Sequence, residues 1–438
     1  MPDFDLIIRS DPDIGIKDGK FAAVTINLAG SAKEEVDATS LLVFPGVIDS
    51  HVHFNEPGRT EWEGFETGSR ACAAGGTTTV FEMPLNAHPP TIDAASFDAK
   101  RTAAETKSLV DFGLWGGLVP GNLTELEELR DRGVVGFKAF MCNSGIDDFP
   151  SVDLATLREG MRIVADLDLL VAVHAESQEM TANLTTRYRT AGGADISDYL
   201  ASRPIEAELE AIQQAVDCAA ETGCRLHIVH VSCGRGVELV SAARKNGVDV
   251  TCETCPHYLT LTAADMEAIG PLAKCAPPLR DADEQDELRG CISKVDTIGS
   301  DHSPSPPEMK RRENFFDVWG GISGCQHLLS LLLDASLANN DIVRLTSDNV
   351  ASRFRITDKG GIVEGRDADL SIVSPDTEEM VSARSLHYRH QQSPYVGRTL
   401  RNRVVRTILR GQTIYQDGKL AARSTGRLIR PTRQRTVG

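Results

Sequence analysis

Short apolar runs alternate with longer amphipathic segments through the middle of the chain. Eight runs end in polar residues, and the segments between them, such as DLATLREGMRIVADL, repeat apolar residues at i, i+3, i+4 and i+7. Such runs are typical of buried strands, and such segments are typical of amphipathic helices. The runs are LLVFPGVIDSHVH (41–53), GTTTVFEMP (76–84), VDFGLWGGL (110–118), VVGFKAF (134–140), LLVAVHAES (169–177), CRLHIVHVS (224–232), VDVTCETCP (248–256) and VDTIGSDHS (295–303). This alternation predicts an α/β fold with a parallel (β/α)8 TIM barrel over residues 46–350.

The two ends of the chain follow a different pattern. Residues 1–45 alternate in short apolar pieces such as FDLIIRS and FAAVTINL, and the chain after 355 contains GIVEGRDADLSIVSP and VVRTILRGQTIYQDGKL. These are hairpin patterns punctuated by glycine, without a helical period. We therefore expect residues 1–45 and 351–438 to build one small β-sandwich domain beside the barrel.

Composition and charge narrow the class of protein. No apolar run reaches the ~18 residues of a membrane span, and the N-terminal MPDFDLIIRSD is acidic where a signal peptide is basic. The 63 acidic and 46 basic residues give a net charge of −17, which disfavours nucleic acid and anionic membranes as partners. The ten scattered cysteines form neither a disulfide framework nor a paired zinc motif. We expect reduced thiols and a cytoplasmic protein.

The C-terminal stretch RSTGRLIRPTRQR is strongly basic. It contains Arg423, Arg427, Arg430, Arg433 and Arg435. We expect a solvated tail or a contact between subunits here, rather than a binding arm.

Side chains suited to metal binding recur at the carboxyl ends of the predicted strands, where barrels of this kind form their active sites. His51 and His53 are two positions apart, so they face the same side of a strand. A His-x-His pair alone is more often ordinary surface or core, but four of the eleven histidines fall at strand ends. The six candidate ligands, on five strands, are His51, His53, Lys138, His174, His230 and Asp301. They predict a metal centre.

Lys138 is the unusual member of this set. An ammonium group has three donors and no lone pair, so it cannot bind a cation. Lys138 could simply end its strand in solvent. Otherwise it must be neutral or chemically changed, and reaction with CO2 would give a carbamate whose two oxygens can bridge two ions.

By count, the ligands suffice for two divalent ions. His51, His53 and Asp301 would hold one ion, and His174 and His230 would hold the other, with the modified lysine between them. Two such ions lower the pKa of a water molecule and supply a nucleophile at neutral pH. Asp301 could take its proton and pass it to the leaving nitrogen. Zinc is the first expectation, with manganese, cobalt or iron as alternatives, and amide, ester and phosphoester hydrolysis all stay open.

The other histidines carry weaker expectations. His227 lies three residues before His230 on the same strand, so we expect it to face the helix layer as a packed structural residue. His302 could hydrogen-bond behind the ligands, beside Asp301. Ordinary roles are expected for His88, His257, His327, His387 and His390.

Several longer motifs resemble the cyclic amidohydrolases, the superfamily of dihydroorotases, dihydropyrimidinases and allantoinases. They are the EPGR turn after His53, GFETGSRACAAGGTTT (64–79), GFK (136–138), VHAE (173–176), HVS (230–232), SDHSP (300–304) and DADL (367–370). The resemblance runs essentially end to end. It implies a barrel with a β-sandwich, a carboxylated Lys138 and ring opening of a cyclic amide.

Within the superfamily, the chain most resembles the allantoinases, through EPGRTEWEGFETG, EMPLN, LAKCAPPLRD, SDHSPSPPEMK, WGGISGCQ and YRHQQSPYVGRTLRNRV. Dihydroorotases bind a substrate carboxylate with an arginine and a histidine, where this chain has Asn55 and Leu279, neither of which can pair an anion. Dihydropyrimidinases place a tyrosine where Asn143 stands. The resemblance therefore implies hydrolysis of neutral allantoin to allantoate in purine catabolism.

The resemblance to allantoinases also implies details of the pocket and of the assembly. Ala276 and Ser303 would line the substrate ring through main-chain atoms, and residues 143–146, beginning at Asn143, would form a covering loop. Family members are usually homotetramers. A hydantoinase or dihydropyrimidinase of broader specificity stays open as an alternative. A non-catalytic scaffold homologue would have lost metal ligands, and all six are present here.

Overall fold

The structure is a computed structural model and describes residues 2–432. The strands in this range are β1 (Phe4–Arg9), β2 (Asp13–Lys17), β3 (Lys20–Thr25), β4 (Ala32–Asp37), β5 (Leu42–Pro45), β6 (Val47–Val52), β7 (Thr77–Glu82), β8 (Asp111–Leu114), β9 (Gly116–Gly117), β10 (Phe137–Phe140), β11 (Leu170–His174), β12 (Arg225–Ile228), β13 (Val250–Thr254), β14 (Thr297–Ile298), β15 (Leu370–Ser374), β16 (Glu379–Met380), β17 (Thr399–Leu400), β18 (Arg403–Leu409), β19 (Gln412–Gln416) and β20 (Lys419–Leu420).

Helices follow most of the central strands. They are α1 (Phe65–Ala74), α2 (Ala94–Lys107), α3 (Leu126–Arg132), α4 (Leu154–Asp166), α5 (Gln178–Thr190), α6 (Ile196–Ala201), α7 (Ile205–Thr222), α8 (Gly234–Lys245), α9 (Pro256–Thr260), α10 (Ala263–Ile269), α11 (Ala282–Gly290), α12 (Pro307–Lys310), α13 (Leu328–Asp334), α14 (Asn339–Val343) and α15 (Asn349–Arg353). A π-helix at Arg344–Asp348 links the last two. Between residues 2 and 432, none of these helices has both the length and the apolar composition needed to cross a membrane.

The central strands form the predicted (β/α)8 TIM barrel. One parallel sheet has the order β14-β13-β12-β11-β10-β9, and a second has the order β6-β7-β8. Backbone hydrogen bonds join the two sheets at both seams: Val135 N donates to Leu114 O (2.9 Å), and His53 N donates to His302 O (2.7 Å). The third predicted run is split into β8 and β9 at Trp115, where the chain passes from one sheet to the other.

The chain ends build the predicted β-sandwich. One sheet has the order β3-β2-β1-β4, and the other has the order β20-β19-β18-β15-β5. In the second sheet, β5 from the N-terminal part pairs antiparallel with β15 from the C-terminal part, with Pro45 opposite Leu370. A hydrophobic cluster between the sheets joins Ile8 and Phe21 to Ile372 and Ile408. Burial of these side chains therefore requires both ends of the chain.

A buried ion cluster lies where the sandwich meets the barrel. The Lys359 ammonium is 2.8 Å from Asp111 at the start of β8, 3.2 Å from Asp367 and 2.6 Å from Asp369. Arg410 also pairs with Asp111. Although burial disfavours the ammonium, the charges of Asp369 and Asp111 outweigh that effect and raise the pKa of Lys359. The lysine thus neutralises carboxylates from both domains.

Replacing this lysine should destabilise the fold. We expect Lys359→Met to lower the free energy of unfolding by about 3 kcal/mol, because the substitution leaves buried carboxylates without their shared cation. Urea denaturation measures the change, and Lys419→Met, at an exposed lysine of β20, is the matched control. An unchanged denaturation midpoint for Lys359→Met would contradict this reading of the cluster.

The basic C-terminal stretch is not simply a free tail. Phe112 N donates to Arg427 O (3.0 Å), and Ile429 N donates to Phe112 O (2.7 Å). The backbone is therefore docked along β8, a contact that the expectation of a solvated tail missed. The side chains of Arg423, Arg427 and Arg430 are nevertheless exposed. Arg433 and Arg435 lie outside the described residues.

Candidate metal centre

Three of the predicted ligands meet at one end of the barrel. His51 lies near the end of β6, His53 follows that strand, and Asp301 comes three residues after β14. Asp301 Oδ1 is 3.2 Å from His51 Nε2 and 3.4 Å from His53 Nε2. One potential ligand atom from each residue lies within 4.8 Å of the others. This spacing would allow the three side chains to share a single cation.

Two further histidines meet on the neighbouring side. His174 ends β11, and His230 lies two residues beyond β12. The distance between His174 Nδ1 and His230 Nε2 is 3.0 Å, and the ring centroids of His51 and His230 are 5.5 Å apart. His230 and Asp301 both have a left-handed backbone, with φ of 41° and 46°. Such strained positions are common where a strand ends at a functional site.

Lys138 projects from β10 among these groups. It is fully buried, and its Nζ has no hydrogen-bond partner among the described residues. The amine lies 5.0 Å from the centre of the Phe140 ring. Burial, opposed by the charges of Asp301 and Glu253, lowers the pKa of Lys138 to about 8. A buried amine without an acceptor is costly, so this position demands a further partner or a chemical change.

The protonation states suit metal binding at neutral pH. Burial lowers the pKa of His53 to about 4 and lowers those of His174 and His230, with a smaller contribution from Lys138. Burial alone would raise the pKa of Asp301, but His51 and His53 outweigh it and bring the value to about 2. The donor set therefore combines neutral imidazoles with a carboxylate. With the unpartnered Lys138 Nζ, this set fits divalent cations.

Glu253 on β13 orients His51 from behind. Its Oε1 lies 2.7 Å from His51 Nδ1, and Ser50 Oγ donates to its Oε2 at 2.7 Å. A carboxylate on one ring nitrogen fixes the tautomer and leaves the other nitrogen free to bind a cation. The sequence analysis did not select Glu253, because its partner lies 202 residues away along the chain. Its only local signal is its place near the end of a strand.

Glu176 plays the corresponding part for His174. Its Oε2 lies 2.8 Å from His174 Nε2, and Arg203 forms an ion pair with the same carboxylate. Burial would raise the pKa of Glu176, but Arg203 and His174 outweigh it and lower the pKa to about 2. Glu176 therefore stays ionised and holds the imidazole so that Nδ1 faces His230.

Removing the carboxylate behind His51 should weaken metal binding without unfolding the barrel. We expect Glu253→Gln to lower metal affinity by about 10- to 100-fold, because the amide holds the imidazole less firmly and makes it less basic. Competition with a chromogenic chelator measures the affinity. Glu267→Gln, at an exposed position of α10, is the control. Equal affinity in Glu253→Gln and the unmodified protein would contradict the role assigned to Glu253.

Sequence comparison gives the family. The chain matches the amidohydrolase family over residues 42–414. The chain belongs to the amidohydrolase family. This family implies a binuclear divalent metal site, and in this amidohydrolase His51, His53 and Asp301 could hold one of the ions.

Individual relatives of this amidohydrolase match over nearly their whole length. An allantoinase from Rubrobacter xylanophilus is 54% identical over 451 residues, covering 99% of each chain. An allantoinase from Solibacter usitatus is 51% identical over 426 residues, covering 96% of this chain and 93% of the relative. Among solved structures, an L-hydantoinase (dihydropyrimidinase) from Arthrobacter aurescens has a TM-score of 0.95 at 35% identity, covering 98% of this chain and 100% of that one.

The metal-centre histidines and Asp301 lie at the floor of a cavity of about 700 Å³ in this amidohydrolase. The predicted substrate residues Asn143, Ala276 and Ser303 line the same cavity. Asn143 Oδ1 accepts from Gly145 N at 2.8 Å, so this side chain shapes its own loop. Ser303 N donates to Ile322 O at 2.9 Å, so its main-chain amide is already bonded within the protein.

Three of the arginines that line the cavity pair with carboxylates. Arg59 pairs with Asp148 at 3.2 Å, and Arg189 pairs with Asp317 at 2.6 Å. Arg203 is paired with Glu176, as described above. The two residues that replace the anion-binding groups of dihydroorotases, Asn55 and Leu279, are buried outside the cavity lining. Arg312, which is exposed, also lines the cavity, so the pairing removes three of the cations that a substrate carboxylate could meet but not this one.

Asn86, two residues beyond EMP, is a neighbour of the centre that the sequence analysis did not select. Its Nδ2 lies 3.3 Å from His53 Nδ1, and the residue lines the cavity. Its backbone is left-handed, with φ of 67°, which turns the side chain back toward the barrel. The signal available in the sequence was a polar residue two positions after the end of the second apolar run.

His227 and His302 are fully buried. The expectation that His227 faces the helix layer was wrong: its Nδ1 lies 2.8 Å from Thr251 Oγ1 and its Nε2 lies 3.9 Å from Glu253 Oε2, inside the barrel. Side chains alternate between the two faces only within a strand. Because β12 ends at Ile228, before His230, the direction of His230 does not determine the direction of His227. His302 accepts from Gly324 N at 3.2 Å and packs against Phe54, so it supports the loop after β14.

Proposed function

We propose that this amidohydrolase is an allantoinase, which hydrolyses the hydantoin ring of allantoin to give allantoate. The observation that carries the proposal is the convergence of His51, His53, His174, His230 and Asp301 on the floor of one cavity, in a chain similar to allantoinases almost end to end. The chemistry is that of a hydrolase acting on a cyclic amide.

The surroundings of the floor support a neutral substrate. Allantoin has a hydantoin ring and a ureido arm and carries no carboxylate. The arginines Arg59, Arg189 and Arg203 are already paired with acidic side chains, and Asn55 and Leu279 offer no cation. Main-chain groups at Ala276 and Ser303 can hydrogen-bond the ring without adding charge.

The ligand set supports two divalent ions. In our proposal, His51, His53 and Asp301 would hold one ion and His174 and His230 the other. The neutral amine of Lys138 would react with CO2 to give a carbamate and a proton, and this carbamate would supply a carboxylate ligand to the centre. The buried Lys138 Nζ without a partner supports that modification. Zinc is the first choice, with manganese, cobalt and iron as alternatives. When bound, such ions supply a water nucleophile at neutral pH and polarise the ring carbonyl.

Asp301 is proposed to move the proton. It is ionised at neutral pH and lies on the cavity floor between His51 and His53. One carboxylate oxygen can accept the proton of the attacking water. The same oxygen can then deliver it to the ring nitrogen as the carbon–nitrogen bond breaks. Glu253 and Glu176 act before that step, by keeping His51 and His174 in the orientation that binds a cation.

A substrate panel tests the function. Purified protein supplied with bicarbonate and divalent metal should convert allantoin to allantoate and should turn over dihydrouracil, hydantoin and dihydroorotate far more slowly. A hydantoinase is the second candidate, because the solved L-hydantoinase has nearly the same fold. Preference for hydantoin or dihydrouracil would favour it and refute the argument based on Asn143, whereas turnover of dihydroorotate would refute the argument based on Asn55 and Leu279.

Further properties belong to the proposal. Residues 46–350 would form the catalytic unit, flanked by the sandwich segments 1–45 and 351–438, and the enzyme would act in purine catabolism in the cytoplasm. All ten cysteines are free, and most are buried, which suits a reducing compartment.

A homotetramer would cover exposed apolar side chains such as Ile26, 70% exposed, and Val363, 49% exposed. Light scattering after size-exclusion chromatography tests that state.

A further inference from the structure

Lys274 is a buried lysine outside the metal centre whose ammonium bonds carbonyl oxygens rather than carboxylates. It is 4% exposed and lines the substrate cavity itself, two residues before Ala276. Its Nζ donates to Phe315 O (2.7 Å), Phe316 O (3.2 Å) and Val318 O (2.6 Å). An ammonium has three N–H donors, so three carbonyl acceptors satisfy it completely.

Lys310, the last residue of α12, repeats this arrangement from the other side. It is 7% exposed, and its Nζ donates to Pro271 O (3.1 Å), Trp319 O (2.8 Å) and Gly321 O (2.7 Å). Five of the six acceptors of the two lysines therefore belong to one stretch, residues 315–321. We call this stretch the wall segment.

The wall segment forms an outer side of the substrate cavity. Phe316, Asp317, Val318, Trp319 and Gly320 all line it. The Trp319 ring meets the Trp62 ring edge to face, with 4.8 Å between centroids, so the segment touches the loop after β6. The position of the wall segment therefore sets the width of the cavity above the metal centre.

The wall segment contains a short 3-10 turn at its start and no strand or longer helix. Phe315 N donates to Ala194 O (2.8 Å), and Asp317 pairs with Arg189, so the start of the segment is also attached from outside. Trp319 N donates to Met309 O (3.0 Å), and Gly321 N donates to Lys274 O (2.8 Å). These bonds attach it to the same two stretches that carry the lysines. Burial lowers the pKa of Lys274 and of Lys310 to about 7, while the three carbonyl acceptors around each amine favour its charged form. Without the two side chains, five carbonyl oxygens of the wall segment would lose a hydrogen bond.

We propose that Lys274 and Lys310 are positioning residues, which hold the wall segment over the cavity and so determine substrate affinity rather than the rate of ring opening. The inference rests on the proposed function for the identity of the substrate, allantoin. Neither lysine lies among the candidate metal ligands. Their loss should therefore displace Trp319 and its neighbours while the floor of the cavity keeps its geometry.

Steady-state kinetics of Lys310→Met and Lys274→Met test the proposal. We expect the KM for allantoin to rise by about ten-fold or more, with kcat within about two-fold and metal content unchanged, since a wall that binds substrate and transition state alike affects KM alone. Lys310→Gln keeps two N–H donors, so its KM should lie between those of the unmodified protein and Lys310→Met. An unchanged KM, or a loss confined to kcat, would overturn the proposal.

Lys359→Met is the matched control, because it removes an equally buried ammonium that does not line the cavity and pairs with carboxylates. It should lower stability and leave the KM for allantoin unchanged. If Lys359→Met raised KM as much as Lys310→Met, a general loss of stability would explain the effect and the proposal would fall.

Acrylamide quenching of tryptophan fluorescence, without substrate, separates this inference from the proposed function. Trp115 is fully buried, so a change in quenching reports on Trp62 and Trp319. Quenching should increase in Lys310→Met and in Lys310→Gln, to a smaller extent in the latter. If the unmodified protein failed to open allantoin, the proposed function would fail while this test still held. Unchanged quenching in both variants would refute the positioning role.

Discussion

Asp301→Asn is expected to lower kcat for allantoin by about 10³-fold, while the fold and most of the metal are retained. The amide cannot accept the proton of the attacking water, nor deliver a proton to the leaving nitrogen. It still presents an oxygen at the position that lies 3.2 Å from His51 and 3.4 Å from His53. Because the pKa of Asp301 is lowered to about 2, the carboxylate is ionised across the neutral range. The defect in kcat should therefore persist at every pH between about 6 and 9.

Three measurements on the same preparation test this expectation. They are the rate of allantoate formation, the metal content and the circular dichroism spectrum. Asp317→Asn is the control, because Asp317 lines the same cavity but pairs with Arg189 at its outer side. The control should retain most of its turnover. Near-normal turnover in Asp301→Asn would remove Asp301 from the proton transfer, and a complete loss of metal would assign it a purely structural role.

Lys138→Met should remove the bridge between the two ions. We expect the metal content to fall by at least one ion per chain and kcat to fall by about 10³-fold, because the loss of that ion removes its share of the charge stabilisation. Methionine is apolar and of similar length, so it can occupy the buried position beside Phe140 without leaving a charge. The fold should therefore persist, with a denaturation midpoint close to that of the unmodified protein.

The carbamate itself can be observed. Unmodified protein incubated with carbon-13 bicarbonate should show a carbamate resonance in its NMR spectrum, and Lys138→Met should lack it. Lys359→Met is the control, because Lys359 is paired with carboxylates that raise its pKa and keep it protonated, whereas CO2 reacts only with a free amine. Its signal should match that of the unmodified protein. Full metal content and turnover in Lys138→Met would contradict the bridging role.

The fold could be predicted because its signals are local. Strand and helix periods are written within ten to twenty residues, so the barrel and the hairpins at both ends followed from the pattern alone. The union of both chain ends in one sandwich was also predicted, but the pairing of β5 with β15 within it was not. The docking of residues around Arg427 on β8 was not, since backbone hydrogen bonds leave no mark on the side-chain pattern.

The candidate site was predictable where strand geometry decides it. His51 and His53 share a face because side chains alternate along a strand, and the structure brings them within reach of Asp301. The same alternation misled the analysis for His227, because β12 ends before His230 and a left-handed residue resets the direction. Predictions of which face a side chain occupies hold within a strand, where side chains alternate. They fail beyond the end of the strand, where the active sites of barrels lie.

The supporting residues could not be predicted from the chain. Glu253 reaches His51 across 202 residues, and Arg203 reaches Glu176 from a different element. Lys274 and Lys310 are lysines near a loop, which composition alone assigns to the surface. Their burial is visible only once the carbonyl oxygens of residues 315–321 are seen to surround them. Contacts of this kind depend on the folded arrangement rather than on spacing.

The most direct test of the central claim is to titrate zinc into metal-free protein in bicarbonate buffer while the rate of allantoate formation is followed. The proposed ligand set predicts no turnover without metal, and a rate that rises to its plateau at two ions per chain. Full turnover in metal-free protein, or a plateau at one ion, would contradict the binuclear centre built on His51, His53, Lys138, His174, His230 and Asp301. A fully loaded protein that leaves allantoin intact would refute the proposed function.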